Sequence, residues 1–124
     1  MVQKPIRVLI VDDQPRARKS LMALLSTWPQ VCEVQEAGNG REALQMVQEL
    51  QPDVVLMDVR MPELNGLQAT AQIKLLWPQV KVIVLSMYAE YQLEALSAGA
   101  DAFVAKDEAP RTLLKVLAGM VEEV

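Results

Sequence analysis

Residues 6–13 read Ile6-Arg7-Val8-Leu9-Ile10-Val11-Asp12-Asp13, an aliphatic run interrupted only by Arg7 and closed by two carboxylates. Consecutive apolar positions, without the alternation of a half-exposed strand, suit a strand buried on both faces of a parallel sheet. The same design recurs downstream. Val54–Met57 is followed by Asp58, Val80–Leu85 by Ser86 with Lys81 near its start, and Ala102–Ala105 by Lys106. A fifth segment, Cys32–Ala37, alternates as an edge strand does.

Between these runs the apolar spacing changes from two to about 3.6. One helical face collects Leu21, Leu24, Leu25 and Trp28, and the next Ala43, Leu44, Val47 and Leu50. Three more collect Gly66, Thr70, Ile73 and Trp77; Ala89, Leu93, Leu96 and Ala100; and Leu113, Leu114, Leu117, Met120 and Val121. Met22, Met46 and Met120 lie on or beside these faces and read as core filling. Trp28-Pro29 and Trp77-Pro78 close two helices and Gly38-Asn39-Gly40 opens another. Pro110 stands where a first helical turn tolerates it, with Asp107 and Glu108 as N-terminal residues of the last helix. Five strands alternating with five helices predict a parallel sheet with right-handed crossovers and helices on both faces.

The 124 residues hold 12 Lys plus Arg, 16 Asp plus Glu, one Cys and no His. That length suits one domain able to remove roughly two-thirds of its extended-chain surface from water. Without imidazole there is no Ser-His-Asp or Cys-His catalysis, no His-ligated zinc and no phosphohistidine carrier. Cys32 has no internal disulfide partner and reads as a small strand residue. The start, with its longest unbroken apolar run at Val8–Val11, has the form of neither a signal peptide nor a membrane span, so a soluble, cytoplasmic chain is expected. A net charge of -4 disfavours direct contact with duplex DNA, which needs a basic face. Arg16, Arg18 and Lys19 cluster on the first helix and read as a solvated face.

Ligands in open α/β sheets bind at the carboxyl ends of the strands. Asp12, Asp13, Asp58, Ser86 and Lys106 all fall there. The first strand–helix turn, Asp12-Asp13-Gln14-Pro15, lacks glycine, so neither a dinucleotide fingerprint nor a P-loop forms. Three carboxylates at one spot repel unless cations are supplied, and an oxygen-only set without His or Cys points to Mg2+ beside Lys106. A carboxylate beside Mg2+ and Lys, with a hydroxyl in reach, has the parts to accept a phosphoryl group, and Asp58 is the expected nucleophile.

In that order these residues resemble the receiver domain of bacterial two-component response regulators, over the whole chain. Asp12 and Asp13 match the acidic pair, Asp58 the phosphoacceptor, Ser86 the switch hydroxyl and Lys106 the strand-end lysine. Asp58-Val59-Arg60-Met61-Pro62-Glu63-Leu64-Asn65-Gly66 is similar to the family's D-x-x-M-P-x-x-x-G loop, and Ala98–Asp107 looks most like the LuxR/NarL-type transcription regulators. The resemblance implies a flavodoxin-like (βα)5 sheet of strand order 2-1-3-4-5. It implies a receiver over residues 1–124 that is a regulatory phosphoacceptor, catalysing only its own phosphotransfer and slow autodephosphorylation.

On the family's pattern Mg2+ is held by Asp13, Asp58 and the backbone carbonyl of Arg60, with Asp12 acting through water. Ser86, Lys106 and Phe103 form the phosphoryl-binding and switching group, and the segment Ser86 to Tyr91 responds most. Arg60 and Tyr88 lie where family members tune water access to the aspartyl phosphate. The implied partners are a sensor histidine kinase, a second copy on phosphorylation, and DNA only through a separate output domain. Either Leu93, Leu96 and the last helix, or the first and last helices, would form the dimer surface.

The chain departs from the family where Asp107, not proline, follows Lys106. A cis peptide there is costly without proline. Two other readings compete: a Mg2+-dependent phosphatase of the haloacid-dehalogenase type, whose D-x-D motif spaces its acids differently, and a pseudo-receiver that ignores phosphate. The ending Val121-Glu122-Glu123-Val124, just past the last apolar face, suggests a receiver excised from a longer protein.

Overall fold

The computed structural model describes residues 4–122, with side chains to residue 120. Readings placed on residues 1–3, on the Val121 side chain and on the end at 121–124 lie outside the described residues. The elements run β1 (Ile6–Val11), α1 (Pro15–Leu25), β2 (Val31–Ala37), α2 (Gly40–Leu50), β3 (Val54–Asp58) and α3 (Gly66–Leu76), then β4 (Lys81–Ser86). A single 3-10 turn (Ala89–Tyr91) leads into α4 (Gln92–Ser97), followed by β5 (Ala102–Ala105) and α5 (Arg111–Glu122). All strand pairs are parallel, in the order β2-β1-β3-β4-β5. This is the flavodoxin-like sheet predicted from the alternation of elements.

Successive strand residues point to opposite faces. Leu9, Val11, Val55, Met57, Val82 and Val84 therefore meet Ala43, Val47, Ala69, Ile73 and Ala95 of α2, α3 and α4. Val8, Ile10, Leu56, Ile83, Leu85 and Val104 meet Leu25, Leu113 and Leu117 of α1 and α5. Leu9, Ile10, Leu56 and Ile83 are fully buried, each worth about 1.5–3 kcal/mol against exposure. Met22, Met46 and Met120 are half-buried against these two cores.

Local chemistry sets the helix starts. Asn39 caps α2 by accepting from the Glu42 N–H at 2.8 Å. Asn65 and Gln68 exchange 2.9 Å bonds in a reciprocal box at the start of α3. No helix among the described residues is long and apolar enough to cross a membrane.

Two local readings are corrected, and a third gains a detail. The face Ala89, Leu93, Leu96 and Ala100 does not pack as one. Leu93 and Leu96 are 78% and 45% exposed, while Ala95 is buried and Tyr91 packs on the core. The 3-10 turn advances three residues per turn rather than 3.6, so it shifts the phase of the inward face. Asp107 and Glu108 lie in a turn before α5, which begins only at Arg111. The N–H groups of Glu108 and Ala109 there turn back to the Ala105 carbonyl. The one cis peptide among the described residues joins Ala109 to Pro110. Finally, β2 does lie at the sheet edge, but its pairing with β1 slips between Ile6 and Arg7. Cys32 is skipped in the register and exposed, its Sγ 3.4 Å from the Ile6 carbonyl.

Candidate functional site

Parallel register brings the strand ends together. Val11 pairs with Met57 and Asp58 with Leu85, so Asp12 and Asp58 leave neighbouring strands at the same level. The Lys106 N–H donates to the Ser86 carbonyl at 2.8 Å, which sets those two residues side by side. A cleft of about 360 Å3 opens there, lined by Asp12, Asp13, Gln14, Asp58, Arg60, Ser86, Met87, Tyr88 and Lys106.

Lys106 is the hub of the site. Its Nζ lies 3.0 Å from Asp12 Oδ2 and 3.0 Å from Asp58 Oδ1. Asp12 is buried, and its other oxygen accepts from the Gln14 N–H at 2.9 Å. Both Asp12 oxygens are thus engaged by the protein itself. Asp13 is exposed and lines the same cleft. One carboxylate oxygen from each of Asp12, Asp13 and Asp58 lies within 4.8 Å of the other two. A lone lysine cannot neutralise three carboxylates so close, and burial pushes the Asp58 carboxyl above its ordinary value of 3.8 despite Lys106 pulling it down. Burial alone would lower the Lys106 ammonium, but its bonds to Asp58 and Asp12 win and raise it above 10.5. All-oxygen donors at this spacing fit a hard divalent cation such as Mg2+.

Ser86 is buried, and its Oγ accepts from the Tyr88 N–H at 3.0 Å. Phe103 is half-buried against the α2–α3–α4 core, one residue before Val104 turns to the opposite face. Arg60 is exposed, with its guanidinium carbon 4.0 Å from the centre of the Tyr88 ring.

The loop carrying Arg60 is fixed at both ends. Behind Asp58, the Gly66 N–H donates to the Val59 carbonyl at 2.9 Å. Position 66 admits only glycine at this separation, because a Cβ there would overlap the Asp58 carbonyl oxygen.

Two contributors are not marked out by the sequence. Arg18 reads as one of a surface group with Arg16 and Lys19, but it turns inward. Its Nη1 donates to the Asp12 carbonyl at 2.6 Å and its Nε to Glu36 at 3.0 Å. The acidic turn is thereby braced against β2. Tyr91 reaches the cleft mouth by meeting Tyr88 edge-on. Nothing in the spacing of either residue distinguishes it, since Arg18 sits among surface cations and Tyr91 between Glu90 and Gln92.

The family model for the response regulator receiver domain matches residues 8–118. The chain belongs to that family. This receiver is 36% identical over 117 residues to the nitrate/nitrite response regulator protein NarL of Escherichia coli K12, covering 93% of the chain and 54% of NarL. It therefore spans about half the length of that curated relative. A two-component response regulator of the LuxR family from Aurantimonas sp. superposes with a TM-score of 0.90 at 28% identity, over 97% of this chain and 87% of that one. TrrA from Thermotoga maritima, solved in complex with Mg(2+)-BeF, gives a TM-score of 0.84 at 30% identity, over 92% and 97%. The receiver is thus related to response regulators of the NarL and LuxR type.

Proposed function

We propose that residues 1–124 act as a phosphorelay receiver that takes a phosphoryl group from the phosphohistidine of a sensor histidine kinase onto Asp58. The observation that carries this is Asp58 itself, a mostly shielded carboxylate held by Lys106 at 3.0 Å within a cluster of acids. An Asp58 oxygen attacks phosphorus as the P–N bond of the donor breaks, the electron pair leaving with the imidazole nitrogen. Lys106, already beside Asp58, meets the charge that develops on the phosphoryl oxygens.

Asp13, Asp58 and the Arg60 carbonyl would hold Mg2+, with Asp12 acting through water, and the ion supplies positive charge against the transferring group. That TrrA, of the same fold, was solved in complex with Mg(2+)-BeF supports a Mg2+ site in this receiver. The product carries about 1.5 to 2 negative charges and strong acceptor oxygens. Ser86 then exchanges its bond with the Tyr88 N–H for one to a phosphoryl oxygen, and Phe103 follows inward. Arg60 and Tyr88, which both line the cleft, screen the aspartyl phosphate from water.

The output is transcription control through a DNA-binding domain outside these residues, with dimerisation on phosphorylation and a cytoplasmic location. Support comes from the relation to NarL and LuxR-type regulators and from the acidic balance of the chain.

The test is acetyl phosphate with Mg2+, read by intact mass. One phosphoryl adduct per chain, abolished by Asp58→Asn, is expected. No adduct, and no beryllofluoride response, would leave a phosphate-blind module. Repeated turnover of a generic phosphomonoester would instead make the chain a phosphatase.

A further inference from the structure

Three side chains join the loop after Asp58 to the start of α4. The Arg60 guanidinium carbon lies 4.0 Å from the Tyr88 ring centre and 6.0 Å from that of Tyr91. The two rings meet edge to face, with centres 6.2 Å apart and planes at 89°. Tyr91 is the last residue of the 3-10 turn and packs on the core that also takes Ala95 of α4. Arg60 makes no ion pair among the described residues. From Arg60, two residues along the chain from Asp58, neighbouring side chains therefore run through Tyr88 to Tyr91 at the start of α4.

We propose that Arg60, Tyr88 and Tyr91 form a latch that holds the start of α4 in one setting, and that a phosphoryl group on Asp58 opens it by drawing the guanidinium off the rings. The idea rests on the reading of Asp58 as phosphoacceptor. Its physical basis is a competition for one cation. A guanidinium lying on an exposed ring is weakly held. Dianionic phosphoryl oxygens match its planar fork in a charge-assisted, two-point pair, which is much stronger. Arg60 sits only two residues beyond Asp58, so the flexible side chain has a short path from one partner to the other.

The second hold on Tyr88 fails in the same event. Ser86 Oγ anchors the Tyr88 N–H at 3.0 Å, and that hydroxyl turns to the phosphoryl group in the proposed mechanism. Released by both Arg60 and Ser86, Tyr88 no longer supports the edge of Tyr91. Tyr91 is a positioning residue in this scheme: it acts on α4 through the ring it braces. The change is delivered where Leu93 and Leu96 stand exposed.

NMR on the full chain, with Mg2+ and beryllofluoride as the probe, tests the latch. The Arg60 Nε–H of the free protein is expected to be displaced upfield by the Tyr88 ring current and to lose that displacement when beryllofluoride binds. The Leu93 and Leu96 amides shift in the same titration. Tyr91→Ala should place those amides near their activated positions before beryllofluoride is added, and Tyr91→Phe, which keeps the ring, should behave as the parent. An Arg60 signal unmoved while Lys106 and Ser86 respond overturns the latch and leaves the phosphoacceptor reading intact. Unaltered Leu93 and Leu96 amides in a folded Tyr91→Ala protein overturn it as well. No response at Lys106 or Ser86 in the parent overturns the reading of Asp58, and the latch with it.

Discussion

Gly66 stands so close behind Asp58 that the Asp58 carbonyl oxygen occupies the place of a Cβ. The start of α3 is therefore pressed against the backbone of the proposed phosphoacceptor. Gly66→Ala forces the two apart and is expected to cost about 1–3 kcal/mol of stability, as overpacking of a filled site does. Denaturant unfolding measures this. A change below a few tenths of a kcal/mol would show that the loop yields freely.

Asp58→Asn removes one of three crowded carboxylates. In the metal-free protein it should stabilise the fold at neutral pH by about 1–2 kcal/mol, the scale of a partly buried like-charge contact. A carboxyl held above its ordinary 3.8 binds its proton more tightly when folded. Its contribution favours folding below 3.8 and is lost as pH rises through the raised value. The advantage of Asn over Asp should accordingly vanish in acid. Millimolar Mg2+ should raise the melting temperature of the parent more than that of the variant. Equal metal effects in both proteins would remove Asp58 from the cation site.

Lys106→Ala strands a buried Asp12 and a mostly shielded Asp58. A loss of about 3 kcal/mol is expected at pH 7, typical of breaking a buried pair by deleting one partner. The raised Lys106 ammonium contributes fully below 10.5, and that contribution disappears as pH climbs through its folded value. On the acid side the deficit of the variant should shrink, since Asp58 takes up its proton there. Unfolding curves at several pH values decide it; a pH-independent deficit counts against the charge explanation.

Arg18→Ala should cost about 1–2 kcal/mol through the two bonds it makes, to the Asp12 carbonyl and to Glu36. Arg18→Lys should recover only part, because an ammonium does not reproduce the fork that reaches both acceptors. Full recovery by Lys would mean that charge alone matters at this position.

Under the shielding proposal, Arg60→Ala and Tyr88→Ala each shorten the lifetime of the aspartyl phosphate several-fold. Phosphate release from labelled protein provides the measurement. Unchanged lifetimes in both would sink the idea.

The order of elements is legible in the sequence because this sheet is buried on both faces. Val8–Val11, Val54–Met57 and Val82–Leu85 have no solvent side to write a polar residue on, so each strand appears as an unbroken run whose end is marked by the first polar residue. Those end residues, Asp12, Asp58 and Ser86, are gathered by the parallel register in one cleft together with Lys106, which follows β5. Phase within α4 is not legible. A 3-10 turn carries no distinctive residue pattern, so the spacing places Leu93 and Leu96 inward when Tyr91 and Ala95 hold that face. Arg18 is hidden for a related reason. A helical arginine flanked by Arg16 and Lys19 looks the same in sequence whether it faces water or bridges α1 to Glu36.

The slipped pairing around Cys32 bears on how the molecule behaves when crowded. An exposed strand edge is a template on which other chains can add. Here one edge, β2, is kinked by the skipped residue and carries Glu33 and Glu36, while the other, β5, is only four residues long. Neither border presents a long, flat, uncharged row of backbone groups. Concentrated solutions of this protein should therefore resist growth into cross-β fibrils, leaving association between copies to side chains on the helices.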